Sequence, residues 1–282
     1  TSTNSSIGLI YALKKILFMK SFNIGIMQGR LFPESFKKYN IFPKKWQKEF
    51  KILKYIDLNY IELLFNNNNK DSLLDVKVLN NLKRNSINKL YSINLNYFTK
   101  NSYYKKPVEG KKAIIRALKI SEYLELKIIL IPCIESNEMS DEDFIKFVEI
   151  VKKLNKRKIK ISFEVNKIKF KVKYLKILNK NYGFCFDSGN LSEEDKNCYL
   201  YLKKYKDIIN HIHIKDKKKY SKTKKKYTNC LLGNGIVNFK KIFIELNKYS
   251  HDLNSLTMET FYGSNPILNA KKNLNFLKNY IK

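Results

Sequence analysis

Cysteine, glycine, proline and long apolar runs are all scarce in this chain of 282 residues. The four cysteines form no Cys-x-x-Cys pair and have no framework spacing, which excludes a disulfide scaffold and predicts reduced thiols in a cytoplasmic protein. No apolar run approaches the roughly 20 residues of a membrane span, so no membrane partner is expected. Hydrophobic residues nevertheless make up 44% of the chain and aromatic residues 13%, which is ample for a packed core.

Acidic residues are also few, since 25 stand against 56 lysines and arginines and the formal net charge is +31. Such an excess normally indicates a nucleic acid or an anionic membrane as a partner. Here the abundant residues are Lys, Asn, Ile, Tyr and Phe, which largely have A/T-rich codons, and the lysines are spread along the chain. A solvated basic surface is therefore favoured over a groove that binds nucleic acid.

The first 18 residues contain a short apolar run interrupted by Lys14 and Lys15. They lack a basic leading region and a small-residue cleavage site, so a signal peptide is not expected. Met19 is a candidate start, which would make residues 1–18 an upstream extension; a surface helix is the alternative. We expect residues 1–18 to lie outside the fold and residues 19–282 to form one domain.

Short apolar segments alternate with helical patterns eight times along the chain. The predicted strands are residues 22–27, 59–64, 90–95, 127–131, 158–165, 183–186, 208–214 and 255–259. Eight β/α units in about 260 residues predict an α/β fold, a single (β/α)8 TIM barrel. A doubly wound open sheet is the alternative, but it usually carries a glycine-rich dinucleotide turn after the first strand, and that turn is missing.

Two of the three histidines lie two residues apart in Asn210-His211-Ile212-His213-Ile214-Lys215-Asp216. Polar and apolar residues alternate here, which is strand periodicity and places His211 and His213 on one face. Buried imidazoles need hydrogen-bond partners or a metal. A satisfied core histidine is the simpler interpretation of either residue alone.

Ionisable residues also stand at or near the ends of the last four predicted strands. They are Glu164, Asp187, His213 and Glu259. Carboxylates that end apolar strands are costly to bury without a partner, and one shared divalent cation would satisfy all four groups. Three carboxylates with one imidazole suit Mn²⁺, Mg²⁺ or Co²⁺ better than Zn²⁺. The alternative is four separate salt bridges to the many lysines.

Several of these segments resemble the xylose isomerase-like TIM-barrel family, which includes sugar phosphate isomerases and epimerases. The resemblance extends over nearly the whole chain from Phe22. Its motifs are Gly25-Ile26-Met27-Gln28-Gly29-Arg30-Leu31, Phe186-Asp187-Ser188-Gly189-Asn190, His211-Ile212-His213-Ile214-Lys215-Asp216, Leu232-Gly233-Asn234-Gly235-Ile236-Val237-Asn238-Phe239 and Met258-Glu259-Thr260. The His-x-His-x-Lys-Asp block followed by Leu-Gly-x-Gly is the most specific of them.

The resemblance implies a divalent metal held by Glu164, Asp187, His213 and Glu259. It also implies that Glu164 and Glu259 act as acid and base in an isomerase or epimerase of a sugar or sugar phosphate, by proton transfer through an enediolate. This chain departs from many relatives at Asn190, where a histidine is common. An asparagine can bond a substrate hydroxyl but cannot shuttle a proton.

Four residues are candidates for substrate binding: Arg30, Asn190, His211 and Lys215. The lysines at 217–219, 222 and 224–226 could help to hold a phosphate or carboxylate, although a solvated loop is favoured for that run. The Gly233-Asn234-Gly235 turn could offer N–H groups to an anion. We expect His251 to lie on the surface.

Two other functions are compatible with this barrel. An apurinic-site endonuclease would use the positive charge, but its chemistry calls for several histidines and only three are present. A non-catalytic barrel would be favoured if the proposed metal ligands did not converge. The expected partner is a small-molecule sugar or sugar phosphate, and a homo-oligomer is left open.

Overall fold

The computed structural model describes residues 22–33, 40–167, 177–220, 227–249, 253–260 and 263–281. The predicted extension, residues 1–18, lies outside these ranges, as do His251, Lys222 and the lysines at 224–226. Within the described ranges, no helix is long and apolar enough to cross a membrane.

Parallel strands of the described chain close into a barrel, as the sequence predicts. They are β1 Asn23–Met27, β2 Tyr60–Leu64, β3 Leu90–Asn94, β4 Ile128–Pro132, β5 Lys160–Glu164, β6 Tyr182–Asp187, β7 Ile209–Ile214 and, after a hairpin described below, β10 Ser255–Met258. The order around the barrel is β1-β10-β7-β6-β5-β4-β3-β2. Every predicted strand is present within two residues at either end.

Helices follow the strands and cover the outside of the barrel. The described ones are α1 Gln47–Ile56, α2 Val76–Ser86, α3 Tyr97–Lys100, α4 Pro107–Tyr123, α5 Asp141–Leu154, α6 Ser188–Glu194, α7 Tyr199–Lys204, α8 Phe239–Tyr249 and α9 Pro266–Ile281. Short 3₁₀ turns occupy Ser72–Leu74, Ile87–Lys89 and Glu135–Asn137. A side chain caps the start of helix α5, because the Ser140 hydroxyl accepts the N–H of Asp143 at 3.1 Å.

Aromatic side chains fill the layer between the helices and the strands. The Phe144 ring of α5 packs edge-on against Phe163 of β5, with centroids 5.4 Å apart, and stacks on Phe184 of β6 at 5.9 Å. All three rings are fully buried. With both faces of its strands covered, the barrel becomes a dry scaffold in which a polar side chain must find a partner.

A tyrosine ring fills the barrel interior at the level of Gly25. A Cβ atom on Gly25 would lie 2.2 Å from the Tyr60 ring, so only glycine fits there. The Tyr60 hydroxyl shares a hydrogen bond of 2.8 Å with the Thr257 hydroxyl. The packed ring closes the interior across the barrel, so it is not a pore.

The lysine-rich segment after β7 differs from the predicted loop. Its first part forms an antiparallel hairpin in which β8 Asp216–Lys219 pairs with β9 Tyr227–Cys230. Cross-strand hydrogen bonds therefore fix the chain that leaves β7. The hairpin begins at Asp216.

Candidate functional site

A polar cavity of about 290 Å³ opens at the carboxyl-terminal ends of the strands. Its lining comes from many elements: Met27, Arg30, Asn40, Asn94, Asn96, Thr99, Lys100, Ile134, Glu135, Glu164, Asn190, Lys215, Lys217, Asn229 and Glu259. In (β/α)8 barrels this mouth is where ligands bind, because the loops after the strands converge there. Three of the four predicted substrate-binding residues, Arg30, Asn190 and Lys215, line the cavity.

Four predicted metal ligands meet at the floor of this cavity, and we call them the mouth cluster: Glu164, Asp187, His213 and Glu259. Each offers one ligand atom, and these atoms all lie within 4.8 Å of one another. Glu164 and Asp187 are the last residues of β5 and β6, while Glu259 directly follows β10. Parallel strands bring their carboxyl ends to the same rim, so acids far apart in sequence become neighbours.

The Lys215 ammonium lies among these carboxylates. Its Nζ stands 2.8 Å from Asp187 Oδ2, 3.0 Å from Glu259 Oε2 and 4.0 Å from Glu164 Oε1. The lysine stem passes over Gly189, where a Cβ would come within 2.6 Å of Lys215 Cγ. The floor of the cavity thus accommodates a positive charge.

The two glutamates of the mouth cluster have opposite acidities. Burial raises the pKa of Glu164 to about 8, despite the Lys215 ammonium, and the charges of Glu259 and Asp187 add to the rise. Burial alone would also raise the pKa of Glu259, but Lys215 and His213 hold it well below its usual range. The two glutamates therefore differ in proton affinity, as in many acid–base pairs.

Arg30 is positioned by a buried acid that the sequence did not single out. Glu49 of α1 accepts the backbone N–H groups of Gly29, Leu31 and Phe32 with one oxygen, at 2.9, 3.2 and 3.1 Å. Gly29 has φ 79°, a left-handed conformation that glycine adopts without strain. The turn held in this way leaves the Arg30 guanidinium 3.6 Å from Glu259 Oε1.

Asn190 connects the acids to the cavity wall. Its Nδ2 donates to Glu164 Oε1 at 2.8 Å, and its Oδ1 accepts from Lys217 Nζ at 2.8 Å. Asp187 caps α6, because its Oδ1 accepts the backbone N–H of Asn190 at 2.7 Å. The asparagine therefore orients Glu164.

A second set of polar residues lies deeper in the barrel. This inner cluster consists of Glu62, Ser92 and His211, all fully buried. Glu62 Oε2 lies 2.7 Å from His211 Nε2 and accepts the Ser92 hydroxyl at 2.7 Å, while Glu62 Oε1 lies 2.8 Å from His213 Nε2. His211 is not among the described residues that line the cavity, although the sequence assigned it to substrate binding.

The predicted anion-binding turn is already filled by a side chain of the protein. Asp216 Oδ2 accepts the N–H groups of Gly233 and Gly235 at 3.0 and 2.8 Å, and Oδ1 accepts that of Val237 at 3.2 Å. A Cβ on Gly235 would lie 2.1 Å from Asp216 Oδ1. This turn therefore binds the start of the hairpin, and its N–H groups are not available to an external anion.

Fold and site together define a (β/α)8 barrel with a carboxylate-lined cavity at its mouth. A xylose isomerase domain protein from Planctomyces limnophilus superposes with TM-score 0.69 at 12% identity, covering 92% of this chain and 97% of that one. A D-allulose 3-epimerase from Methylomonas sp. in complex with D-allulose gives 0.65 at 14%, covering 93% and 98%. The IOLI protein with a bound zinc atom gives 0.63 at 13%, covering 92% and 98%. At these identities the likeness shows a shared fold.

A comparison of the sequence with family profiles shows the family of this chain. The family profile described as xylose isomerase-like TIM barrel matches residues 50–280. The chain belongs to this family, and the resemblance noted from its motifs is confirmed. A search of curated proteins returned no match.

Proposed function

We propose that this protein is a divalent-metal-dependent isomerase or epimerase of a sugar or sugar phosphate. The observation that supports the proposal most is the convergence of Glu164, Asp187, His213 and Glu259 within 4.8 Å of one another at the floor of a polar cavity. A structural role alone gives no reason for three acids to meet at the one end of the barrel that is open to ligands.

The mouth cluster fits a divalent cation by its chemistry. Three carboxylates and one imidazole form an oxygen-rich set, which favours Mn²⁺, Mg²⁺ or Co²⁺ over Zn²⁺. The position of the Lys215 ammonium, 2.8 Å from Asp187 and 3.0 Å from Glu259, supports a site that is built for positive charge. When bound there, such a cation would polarise a substrate carbonyl and acidify the adjacent C–H bond.

Glu164 and Glu259 are the proposed acid and base. They lie on strands separated by β6 and β7 in the barrel order, so they could act on a sugar from two sides. Asn190 orients Glu164, and the Lys215 ammonium holds Glu259 at 3.0 Å. One glutamate takes the proton to give an enediolate. Its return to the neighbouring carbon gives an isomer, and its return to the opposite face gives an epimer.

Substrate contacts are proposed for Arg30, Asn190 and Lys215, with a fourth residue from β3. Asn94 lines the cavity, and its Oδ1 is buried without a hydrogen-bond partner among the described residues. A buried amide oxygen of this kind requires a donor, and a sugar hydroxyl supplies one. The similar epimerase structure that contains D-allulose supports the same substrate class.

The proposal is tested by proton exchange in heavy water. The protein is stripped with a chelator, reloaded with Mn²⁺ and incubated in D₂O with a panel of aldoses, ketoses and their phosphates. We expect metal-dependent incorporation of deuterium at a carbon next to the carbonyl of at least one sugar. Metal-loaded protein that exchanges none of them, but cleaves duplex DNA at abasic sites, would replace this function with that of an endonuclease.

A further inference from the structure

The two ring nitrogens of His213 face different surroundings. Nδ1 points to the mouth cluster, 3.1 Å from Glu259 Oε2 and 3.9 Å from Asp187 Oδ2. Nε2 points to the interior, 2.8 Å from Glu62 Oε1. An imidazole that binds a metal through one nitrogen keeps its proton on the other, so the partner that accepts this proton decides which nitrogen binds the metal.

Glu62 reaches His213 from the other side of the barrel. It stands on β2, which is separated from β7 by β10 and β1 in the barrel order. Its side chain is fully buried, and an ionised carboxylate can only accept hydrogen bonds. The facing nitrogens, Nε2 of His213 and Nε2 of His211, must then be the ones that carry hydrogen.

Glu62 is itself held in place by the rest of the inner cluster. The Ser92 hydroxyl donates to Oε2 at 2.7 Å, and His211 Nε2 lies 2.7 Å from the same oxygen. The His211 ring meets the His213 ring edge-on, with centroids 5.0 Å apart. These contacts leave Oε1 directed at His213.

A second metal site is the other interpretation of Glu62, His211 and His213, because their ligand atoms also lie within 4.8 Å of one another. The nitrogen–oxygen distances of 2.7 and 2.8 Å argue against it. They are the lengths of direct hydrogen bonds, and together with the Ser92 hydroxyl they satisfy both oxygens of Glu62 without an ion. The inner cluster therefore acts on His213 through hydrogen bonds.

We infer that Glu62 is a positioning residue that accepts the Nε2 hydrogen of His213 and thereby presents Nδ1 to the metal of the mouth cluster. His211 and Ser92 hold Glu62 in the required orientation. This inference rests on the proposed metal site. It follows the general rule that the outer partner of a ligating histidine fixes its tautomer and ring orientation.

The first test uses the unmodified protein loaded with Zn²⁺, which is diamagnetic, and ¹⁵N NMR of the imidazole nitrogens. Only three histidines contribute signals. We expect His213 to be protonated at Nε2 and ligated at Nδ1. Protonation at Nδ1 with ligation at Nε2 would overturn the inference without any mutation.

The second test compares Zn²⁺ affinity in two variants of the inner cluster. Glu62→Gln keeps the size of the side chain but places an N–H₂ group against one imidazole, and we expect the affinity to fall about 10- to 100-fold. Ser92→Ala is the matched control, because it removes one contact of Glu62 and leaves both imidazole contacts. We expect the Zn²⁺ affinity of Ser92→Ala to fall by less than about threefold, since both imidazoles still hold the Glu62 carboxylate.

The outcomes separate this inference from the proposed function. Equal affinity of the wild type and Glu62→Gln would overturn the role of Glu62 alone. An equal loss in both variants would also overturn it, because general damage to the core would then explain the effect. A wild-type protein that binds no Zn²⁺, Mn²⁺ or Co²⁺ would remove the metal site itself.

Discussion

Two groups of ionisable side chains share the imidazole of His213 and differ in how completely their carboxylates are satisfied. In the inner cluster one carboxylate accepts hydrogen bonds from two imidazoles and a hydroxyl, all within 2.8 Å and all buried. In the mouth cluster three carboxylates face one imidazole nitrogen and the cations Lys215 and Arg30, at distances up to 4.0 Å. The same residue types thus form a closed network in one place and an open one in the other.

The difference separates a supporting role from a binding role. A closed network rigidifies its carboxylate, because both carboxylate oxygens already have partners. An open network has more acceptors than donors, so a cation or a substrate hydroxyl can add to it. Asp216 is a second closed case, because backbone N–H groups of Gly233, Gly235 and Val237 surround its carboxylate.

The largest effect is expected when the proposed base of the mouth cluster is changed. Glu259→Gln keeps an oxygen that can coordinate but cannot accept a proton, so the rate of isomerisation should fall about 10²- to 10⁴-fold. Asp187→Asn removes the charge of a metal ligand but no proposed proton carrier. Its main effect should therefore be a lower affinity for the metal. Added Mn²⁺ should restore activity in part to Asp187→Asn and not to Glu259→Gln. Equal rescue of both variants would make Glu259 only a ligand.

A second prediction concerns the cation of the mouth cluster. Lys215→Met leaves three buried carboxylates without their ammonium, so the free energy of unfolding without metal should fall by about 3–5 kcal/mol. Mn²⁺ should then stabilise the variant more than it stabilises the wild type. Thermal denaturation with and without Mn²⁺ measures both effects.

Lys112→Met is the matched control for Lys215, because Lys112 is 56% exposed and pairs with Glu109 on the surface. Its unfolding free energy should change by no more than about 1 kcal/mol. The comparison between open and closed networks would break down if the two lysine variants lost the same stability, or if Mn²⁺ stabilised Lys215→Met no more than the wild type.

Glu49 provides a carboxylate held almost wholly by backbone N–H groups, and its behaviour should depend on pH. Burial raises its pKa from 4.5 to about 7, despite the N–H groups of Phe32, Leu31 and Gly29. The folded state therefore binds the proton more tightly than the unfolded state, and stability present below pH 4.5 is lost as the pH rises to about 7. The loss is on the order of 3 kcal/mol.

Glu49→Gln cannot ionise, so this part of the pH dependence should disappear. Urea denaturation measures the free energy of unfolding at pH 5 and pH 8. Relative to the wild type, the variant should be more stable at pH 8 than at pH 5. An unchanged difference at the two pH values would mean that Glu49 is ionised throughout.

The smallest effect is expected from the basic surface, which lies outside both clusters. With a net charge of +31, the protein should bind duplex DNA at low salt and release the DNA at about 0.15 M salt. Fluorescence anisotropy with a labelled duplex measures this. Tight binding at physiological salt, together with cleavage at abasic sites, would favour the endonuclease alternative.

The barrel and the mouth cluster could be predicted because their signals are local. Apolar strands, helical periodicity and acids at strand ends are all visible within short windows, as at Glu164 and Asp187. The placement of the Lys215 ammonium could not be predicted, because the direction of the side chain depends on the space above Gly189. The hairpin after β7 was missed for the same reason, since Asp216 orders it through residues some 20 positions away.

Glu62 was missed because its partners are far away in sequence. His211 and His213 follow it by 149 and 151 residues, and the contact exists only once the barrel closes. The available signal was a single acid inside the apolar strand Tyr60–Leu64. A buried acid in such a strand demands a partner, but the sequence does not say which one.

A crystal of the protein soaked in Mn²⁺ and measured at the manganese absorption edge tests the central claim most directly. We predict one strong anomalous peak within coordination distance of His213 Nδ1 and of Glu164, Asp187 and Glu259, with the Lys215 ammonium displaced from it. Loss of that peak in Asp187→Asn at the same Mn²⁺ concentration would support the assignment. A fully occupied soak with no peak among these four residues, or with the peak on His213 Nε2, would contradict the account.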